Sequence, residues 1–382
     1  MEASVKALLA LFIVVFGVQG AQAETMSEYW TYQEFIDLKP DQKAIVTRFS
    51  ERVRQDAEPI LSGNNQVKIS VIYPGKQASD YWWRSISSFE ARLRELNVPY
   101  EISPYFSKPG KDIRLQERKI ASALENDPDY LIFTLDAFRH RVIIERIMAL
   151  GRPKLILQNI TTPVKAWANK QPFLYVGFDH GVGTQMLSEK FARLFPKKTP
   201  YALFNGTRGY VSKMRGGTFK FYAAREMLSF ATDEFYLDFD RKRSRKAAEH
   251  LILRDKMPSF VFASSTDIAL GIIDAAKEAG VLDKILVNGW GGGESELQAI
   301  EKGEMDFTVM RMNDDNGVAM AEAIAMDITG QTKDIPTVYS GDMELIEKGM
   351  PSSQIEVLRK RAFRYSDHWK TETNEISVFD GK

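Results

Sequence analysis

From residue 67 to residue 328, short apolar β-rich runs alternate with stretches whose apolar residues recur every three to four positions, and this alternation leaves few folds open. Strands are expected at Val67–Tyr73, Val98–Phe106, Tyr130–Leu135 and Leu155–Gln158, separated by helices at Tyr81–Leu96, Ile113–Leu124 and Val142–Leu150. The pattern then restarts. Strands are expected at Leu174–Phe178, Ala202–Asn205, Phe235–Phe239, Phe260–Ser264 and Ile285–Asn288, with helices between them. A shorter set follows: the helix Ser295–Lys302, the strand Phe307–Met310 and the helix Gly317–Ile328. Strands joined through helices must run parallel, with right-handed crossovers. Their continuous apolar character fits sheets covered on both faces. The fold class is therefore α/β, with two doubly wound parallel-sheet lobes. At about 100–200 residues per domain, a chain of 382 residues accommodates two.

In such sheets ligands bind beyond the carboxyl ends of the strands, so the residues that follow each strand are the candidates. After the first strand come Gln77, Ser79 and Trp82; after the third, Thr134 and Asp136; after the fourth, Asn159. In the second half the candidates are Arg215, Thr266, Asp267, Trp290 and Arg311. Ser79 and Asp267 could instead cap helices, and Trp82 could be core. Amides, hydroxyls and carboxylates beside indole rings suit a polyol or sugar. The two arginines are less ordinary. A buried guanidinium must find an anion, either Asp136 or Asp267 within the protein or a negatively charged ligand.

Composition removes other chemistries. There is no cysteine, so disulfides, thiolate metal sites and a Cys nucleophile are excluded, and only 4 His are present. No metal-ligand spacing, cofactor motif or nucleophile–base pair stands out, and a non-enzyme is expected, with no catalytic residue, metal or cofactor. Lys plus Arg equals Asp plus Glu at 51 each, which gives no reason to expect nucleic acid as a partner. Gly289-Trp290-Gly291-Gly292-Gly293 lacks the spacing and the Lys-Ser/Thr of a phosphate loop, and reads as a close backbone approach. His140, between Arg139 and Arg141, reads as part of a solvated basic cluster or as a helix start. The apolar run Ala7–Val18, behind Lys6 and ahead of Ala21-Gln22-Ala23, reads as a signal peptide covering residues 1–23. The mature protein is expected in the periplasm, without membrane insertion.

Several segments carry a more specific likeness. They include Tyr73-Pro74-Gly75-Lys76-Gln77-Ala78-Ser79-Asp80-Tyr81-Trp82, Leu157-Gln158-Asn159-Ile160-Thr161-Thr162-Pro163 and Asn288-Gly289-Trp290-Gly291-Gly292-Gly293. Val309-Met310-Arg311-Met312-Asn313-Asp314-Asp315 and Arg361-Ala362-Phe363-Arg364-Tyr365-Ser366-Asp367 add to it. From about residue 66 to 348 the chain resembles the type I periplasmic binding proteins, the ribose-binding-like group, and within it the autoinducer-2 receptors of vibrios. The resemblance implies a ligand, the furanosyl borate diester of autoinducer-2, and a partner, the periplasmic domain of a LuxQ-type sensor kinase. It assigns ligand contacts to Gln77, Ser79, Trp82, Asn159, Arg215, Trp290 and Arg311. The alternative is the sugar-binding component of an ABC transporter. The stretch Asn205–Lys213 departs from the family, and Arg208 and Lys213 are expected to alter the pocket rim or partner surface. The expected organisation is an N-terminal extension (24–65), a first lobe (66–163 plus 291–335), a second lobe (164–290 plus 336–355) and a C-terminal tail (356–382). Crossings are expected near Thr162-Pro163, Gly289–Gly292 and Pro336–Ser340.

Overall fold

The computed structural model describes residues 27–61, 65–108, 113–135, 138–168 and 170–367. The expected signal peptide, Asp136 and the last fifteen residues lie outside them. Among the described residues no helix is long and apolar enough to cross a membrane.

Two parallel sheets form the frame. The first has six strands in the order β11-β5-β4-β3-β1-β2, where β1 is Val67–Tyr73, β2 Tyr100–Phe106, β3 Tyr130–Thr134, β4 Lys154–Gln158, β5 Leu174–Gly177 and β11 Val338–Ser340. The second has four strands in the order β7-β6-β8-β9, where β6 is Tyr201–Asn205, β7 Ala231–Tyr236, β8 Phe260–Ala263 and β9 Leu286–Val287. Isolated bridges from Asn288 to Phe307 and from Gly291 to Met310 extend this sheet to β10 (Phe307–Arg311), which pairs antiparallel with β12 (Met343–Glu347). The strand β1 is buried at every position except Lys68, as a strand covered on both faces must be.

Helices cover both faces of each sheet. Tyr81–Glu95, α3, packs against the apolar helix Asp314–Ile328, α12, over the first sheet around Phe89, Leu93, Val318 and Ile324. Over the second sheet, Thr266–Glu278, α10, lies beside Arg241–Leu253, α9. The opposite face is filled by an aromatic cluster in which Phe219 stacks on Phe262 at 4.2 Å and Phe191 on Phe260 at 4.6 Å.

The lobe boundaries differ from the sequence expectation. β5, assigned to the second half, pairs with β4 in the first sheet, and β10, assigned to the first, belongs to the second. The chain therefore crosses at Phe178-Asp179, Met312-Asn313 and Gly341-Asp342, later than expected. An apolar run announces burial on two faces but not which sheet buries it. The strand expected at Phe235–Phe239 begins at Ala231 and ends at Tyr236, because Asp238 and Phe239 turn into the left-handed region.

Of the N-terminal extension, Tyr32–Leu38 is a helix closed by a capping box between Thr31 and Glu34, α1. Pro40–Arg54, α2, buries Phe49 and Val53 against the first lobe as their spacing predicts. Leu38, the last residue of α1, is exposed. The expected tail is partly interior: Ser352–Ala362 is a helix, α13, and Ser366 behind it is fully buried.

Candidate functional site

A cavity of about 60 Å³ lies between the two sheets. At about 10–15 Å³ per water position it holds roughly four to six waters, the scale of one small ligand. Every wall comes from the carboxyl end of a strand, as the doubly wound rule requires. The first lobe contributes Gln77, Ser79 and Trp82 after β1, Thr134 at the end of β3, and Asn159 after β4. The second contributes Arg215, Thr266, Trp290 and Arg311. These nine were expected from sequence. Pro74, Tyr81, Val211, Phe239 and Ser265 also line it and were not.

Arg311 ends β10 with 4 % of its surface exposed. Its guanidinium lies over the Tyr81 ring at 4.0 Å and nearer the edge of contact with Phe178 and Trp290, at 5.9 and 6.0 Å. Among the described residues no carboxylate forms an ion pair with it, and its Nε has no hydrogen-bond partner. Burial lowers its pKa, with Tyr81, Glu296 and Asp80 opposing. Tyr81 in turn is fixed by Asn316 Nδ2, which donates to its hydroxyl at 2.6 Å. Gly291, at φ 144°, lets the chain pass this guanidinium: a Cβ there would meet Arg311 Nη2 at 2.6 Å. The glycine run thus approaches a side chain of the site.

Trp290 is held by the buried carboxylate of Glu296, which accepts from the Trp290 and Gly292 backbone N–H groups at 3.0 and 2.7 Å and from Thr308 Oγ1 at 2.5 Å. The indole donates to Thr184 Oγ1 at 3.2 Å. Arg215 lies across this indole at 3.6 Å, donates Nη1–H to the Ser264 carbonyl at 2.8 Å, and directs Nε–H at His180 Nδ1, 3.3 Å away. It sits in a π-helical turn, Lys213–Gly217, between the helical segments Tyr210–Ser212 and Thr218–Met227. Such bulges mark functional sites.

Asn159 adopts φ 66°, a conformation Asn tolerates better than most residues, and its Oδ1 has no partner. Ser265 Oγ is likewise unpartnered. With the Arg311 Nε these present buried acceptors, donors and a positive charge on one cavity, which such groups do not maintain without benefit. Trp82 resolves its two readings by serving both: it packs on Tyr73 at 4.7 Å within the core and lines the cavity.

Asp267 does not line the cavity. Its carboxylate accepts from the Ala78 and Ser79 backbone N–H groups of the first lobe at 2.9 and 3.2 Å. Burial pushes it up to about 6 against those two bonds. It is neither a helix cap nor a counterion of Arg311 but a contact between lobes. Asp80 reciprocates, accepting from the Glu294 N–H of the second lobe at 3.2 Å while it pairs with Arg84 at 2.7 Å. Asp136 lies outside the described residues. Arg208 and Lys213 are exposed and do not line the cavity; Arg208 stacks on Tyr236 at 3.9 Å. From that divergent stretch Val211 reaches the cavity instead. His140 is buried near the start of the helix Phe138–Leu150, with Nε2 3.0 Å from Gln116 Oε1, so of its two expected readings the helix start forms and the solvated cluster does not.

Among solved structures, the chain is similar to an ABC transporter solute-binding protein from Bacillus halodurans with bound myo-inositol, at a TM-score of 0.65 and 18% identity over 78% of this chain and 99% of that one. A periplasmic solute-binding protein from Actinobacillus succinogenes with bound D-allose matches at 0.64 and 18%, over 76% and 100%. A periplasmic ribose ABC transporter protein from Conexibacter woesei matches at 0.62 and 19%, over 77% and 96%. At these identities the likeness establishes the fold. The family model of the periplasmic binding protein domain matches residues 69–332, more than half of the chain and the stretch that holds every residue lining the cavity; the returning β11 and β12 lie beyond it. The chain belongs to the periplasmic binding protein family, whose members bind ligands rather than transform them.

Proposed function

We propose that this chain is an exported receptor that closes around one small, hydroxyl-rich anion, the furanosyl borate diester of autoinducer-2, and that closure is read by a membrane sensor kinase. The observation that carries the anionic reading is Arg311: a guanidinium 4 % exposed, with no carboxylate paired to it among the described residues, on a cavity that also receives Arg215. An uncharged sugar would leave the Arg311 guanidinium without an anion, whereas a tetrahedral borate would accept from it. Asn159, Ser265 and Thr266 supply partners for hydroxyls. Trp82 and Trp290 supply apolar walls. The motifs shared with LuxP, the autoinducer-2 receptor of vibrios, supply the ligand's identity and the LuxQ-type partner. The leader at residues 1–23 supplies the route to the periplasm.

The mechanism is a population shift. Ligand held by both lobes stabilises the closed arrangement by its greater affinity for it, and no covalent step is involved. Boron-11 NMR of the mature protein mixed with autoinducer-2 precursor and borate tests the reading. A slowly tumbling tetrahedral boron signal that Arg311→Ala removes is expected; no bound boron would refute it.

A second reading is a sugar-binding component of an ABC transporter. It is favoured by the similar solved structures, which hold myo-inositol and D-allose. A thermal-shift panel of neutral cyclitols and aldoses separates the two: stabilisation by a neutral sugar without borate supports transport.

A further inference from the structure

Ahead of α1, the chain runs along the junction of the two lobes. Tyr29 forms an antiparallel bridge with Val164, in the connection from β4 to β5 of the first lobe. On either side of the bridge, the Trp30 N–H donates to the Pro163 carbonyl and the Lys165 N–H to the Glu28 carbonyl, each at 2.9 Å. Val164 is fully buried, and its own N–H donates to the Tyr175 hydroxyl at 3.2 Å. Phe35 and Ile36 of α1 are buried in the same apolar cluster as Ile72, Phe133 and Leu157 of the first sheet. This segment is thus fastened to the first lobe. The Tyr29 ring, however, lies against Tyr210 of the second lobe, with centroids 5.3 Å apart and planes at 54°. Tyr210 is buried, and its hydroxyl is 2.7 Å from Thr162 Oγ1, beside Pro163. Its ring is also 5.8 Å from that of His180, just past the first crossing.

Tyr210 is therefore clasped from the first lobe twice, by Thr162 of the connection and by Tyr29 of the segment laid on it. Tyr210 opens the helical segment Tyr210–Ser212, whose next residue, Val211, lines the cavity. What holds Tyr210 holds that wall. The lobes are together in this structure, as the bonds from the Ala78 and Ser79 N–H groups to Asp267 show. A ring pair that joins one lobe to the other there favours the closed arrangement, because aromatic pairs gain beyond the area they bury. A short segment near a chain end frays unless something ties it down. Here it is tied by two backbone bonds and a bridge, and every tie lies beside the crossing.

We propose that Glu28, Tyr29 and Trp30 form a strap that holds the second lobe against the first through the Tyr29–Tyr210 contact, and so raises the closed population before any ligand binds. The strap acts whichever ligand the cavity takes. The test measures the distance between lobes in the mature, ligand-stripped protein. The chain has no cysteine, so Leu150→Cys on the first lobe and Leu253→Cys on the second, both at exposed positions, give two sites for spin labels. Double electron–electron resonance then reports the ratio of short to long distances. Tyr29→Ala, which keeps the backbone bridge and removes the ring, is expected to lower that ratio by about twofold to tenfold, the scale of one aromatic pair. Tyr29→Phe, which keeps the ring, is expected to match the labelled parent. Chemical denaturation of the same variants separates a strap from a plain anchor. Distances unchanged in Tyr29→Ala, whatever its stability, would overturn the strap, and so would a shift in Tyr29→Phe as large as that in Tyr29→Ala.

Discussion

A guanidinium taken out of water and laid against ring faces keeps only part of the stabilisation it had in solution. Arg311 is in that position, with Tyr81 at 4.0 Å and an unpartnered Nε. If a ligand oxygen completes its shell, Arg311→Ala should weaken binding by about 1.5–3 kcal/mol, the range for hydrogen bonds to charged groups, or roughly tenfold to more than a hundredfold. Ser79→Ala, on a half-buried hydroxyl at the rim, should cost less; titration calorimetry compares them. Arg311 and its neighbours were legible because strand ends are legible. Tyr81 and Ser265 were not, since a helix start and a cap look the same whether or not they face a cavity. Phe239 stood at the carboxyl end of an expected strand and was passed over as apolar; the strand stops at Tyr236, and Phe239 reaches the cavity through a left-handed turn. His140 shows the limit of reading charge by neighbours. Flanked by arginines in sequence, it is buried, and burial lowers it from 6.5 to about 4. The folded state then binds fewer protons than the unfolded one between those values, so its contribution to stability is full above pH 6.5 and is lost as pH falls through about 4. In His140→Gln, which can still meet Gln116, the loss of melting temperature between pH 6.5 and 4 should be smaller than in the wild type.

The turn after β1 carries one group of the contacts between lobes, beside those of Asn159 with His180 and of Thr162 with Tyr210. The turn after β1 offers the Ala78 and Ser79 N–H groups to Asp267 at the start of α10, and its Asp80 receives the Glu294 N–H at the start of Glu294–Glu301, α11. Each bond closes the cleft and breaks when the lobes part. Asp267→Ala should shift the ligand-free population toward the open form and weaken ligand affinity by about tenfold, since only the closed fraction is competent. Small-angle scattering should report a larger radius of gyration in the variant. The pH dependence has a definite sign. Asp267 is held at about 6 in contact and returns toward 3.8 in water, so closing takes up a proton between those values. Closure is favoured as pH falls and loses that aid above about 6; Asp267→Ala should remove the dependence. At this scale sequence gave most helices and strands, because their apolar periods are intact. It missed β11, β12 and α13. β11 is three residues long, and β12 buries one residue of five, so neither makes a run that stands out.

At the scale of the whole molecule, the fold class and the site's location followed from alternation alone, while the assignment of strands to lobes did not. Which sheet takes β5, β10 and β11 depends on three crossings that leave no local mark. Beyond the crossings, the two chain ends also bind the first lobe. Arg52 of α2 and Arg92 of α3 share the fully buried Glu322 of α12, at 2.5 and 2.7 Å. Asp314 accepts from the Tyr365 and Ser366 N–H groups behind α13, at 2.7 and 2.9 Å. Glu322→Ala would leave Arg92 buried without its main partner, so a loss of about 3–5 kcal/mol is expected from chemical denaturation. These anchors fix the frame on which the strand ends converge, and the frame leaves the choice of ligand to the few residues around Arg215 and Arg311. Titration calorimetry of the mature, ligand-stripped protein with autoinducer-2 precursor, in matched buffers with and without borate, tests that choice most directly. Tight binding that requires borate is the predicted result; equal binding in both buffers, or binding only of neutral sugars, would contradict it.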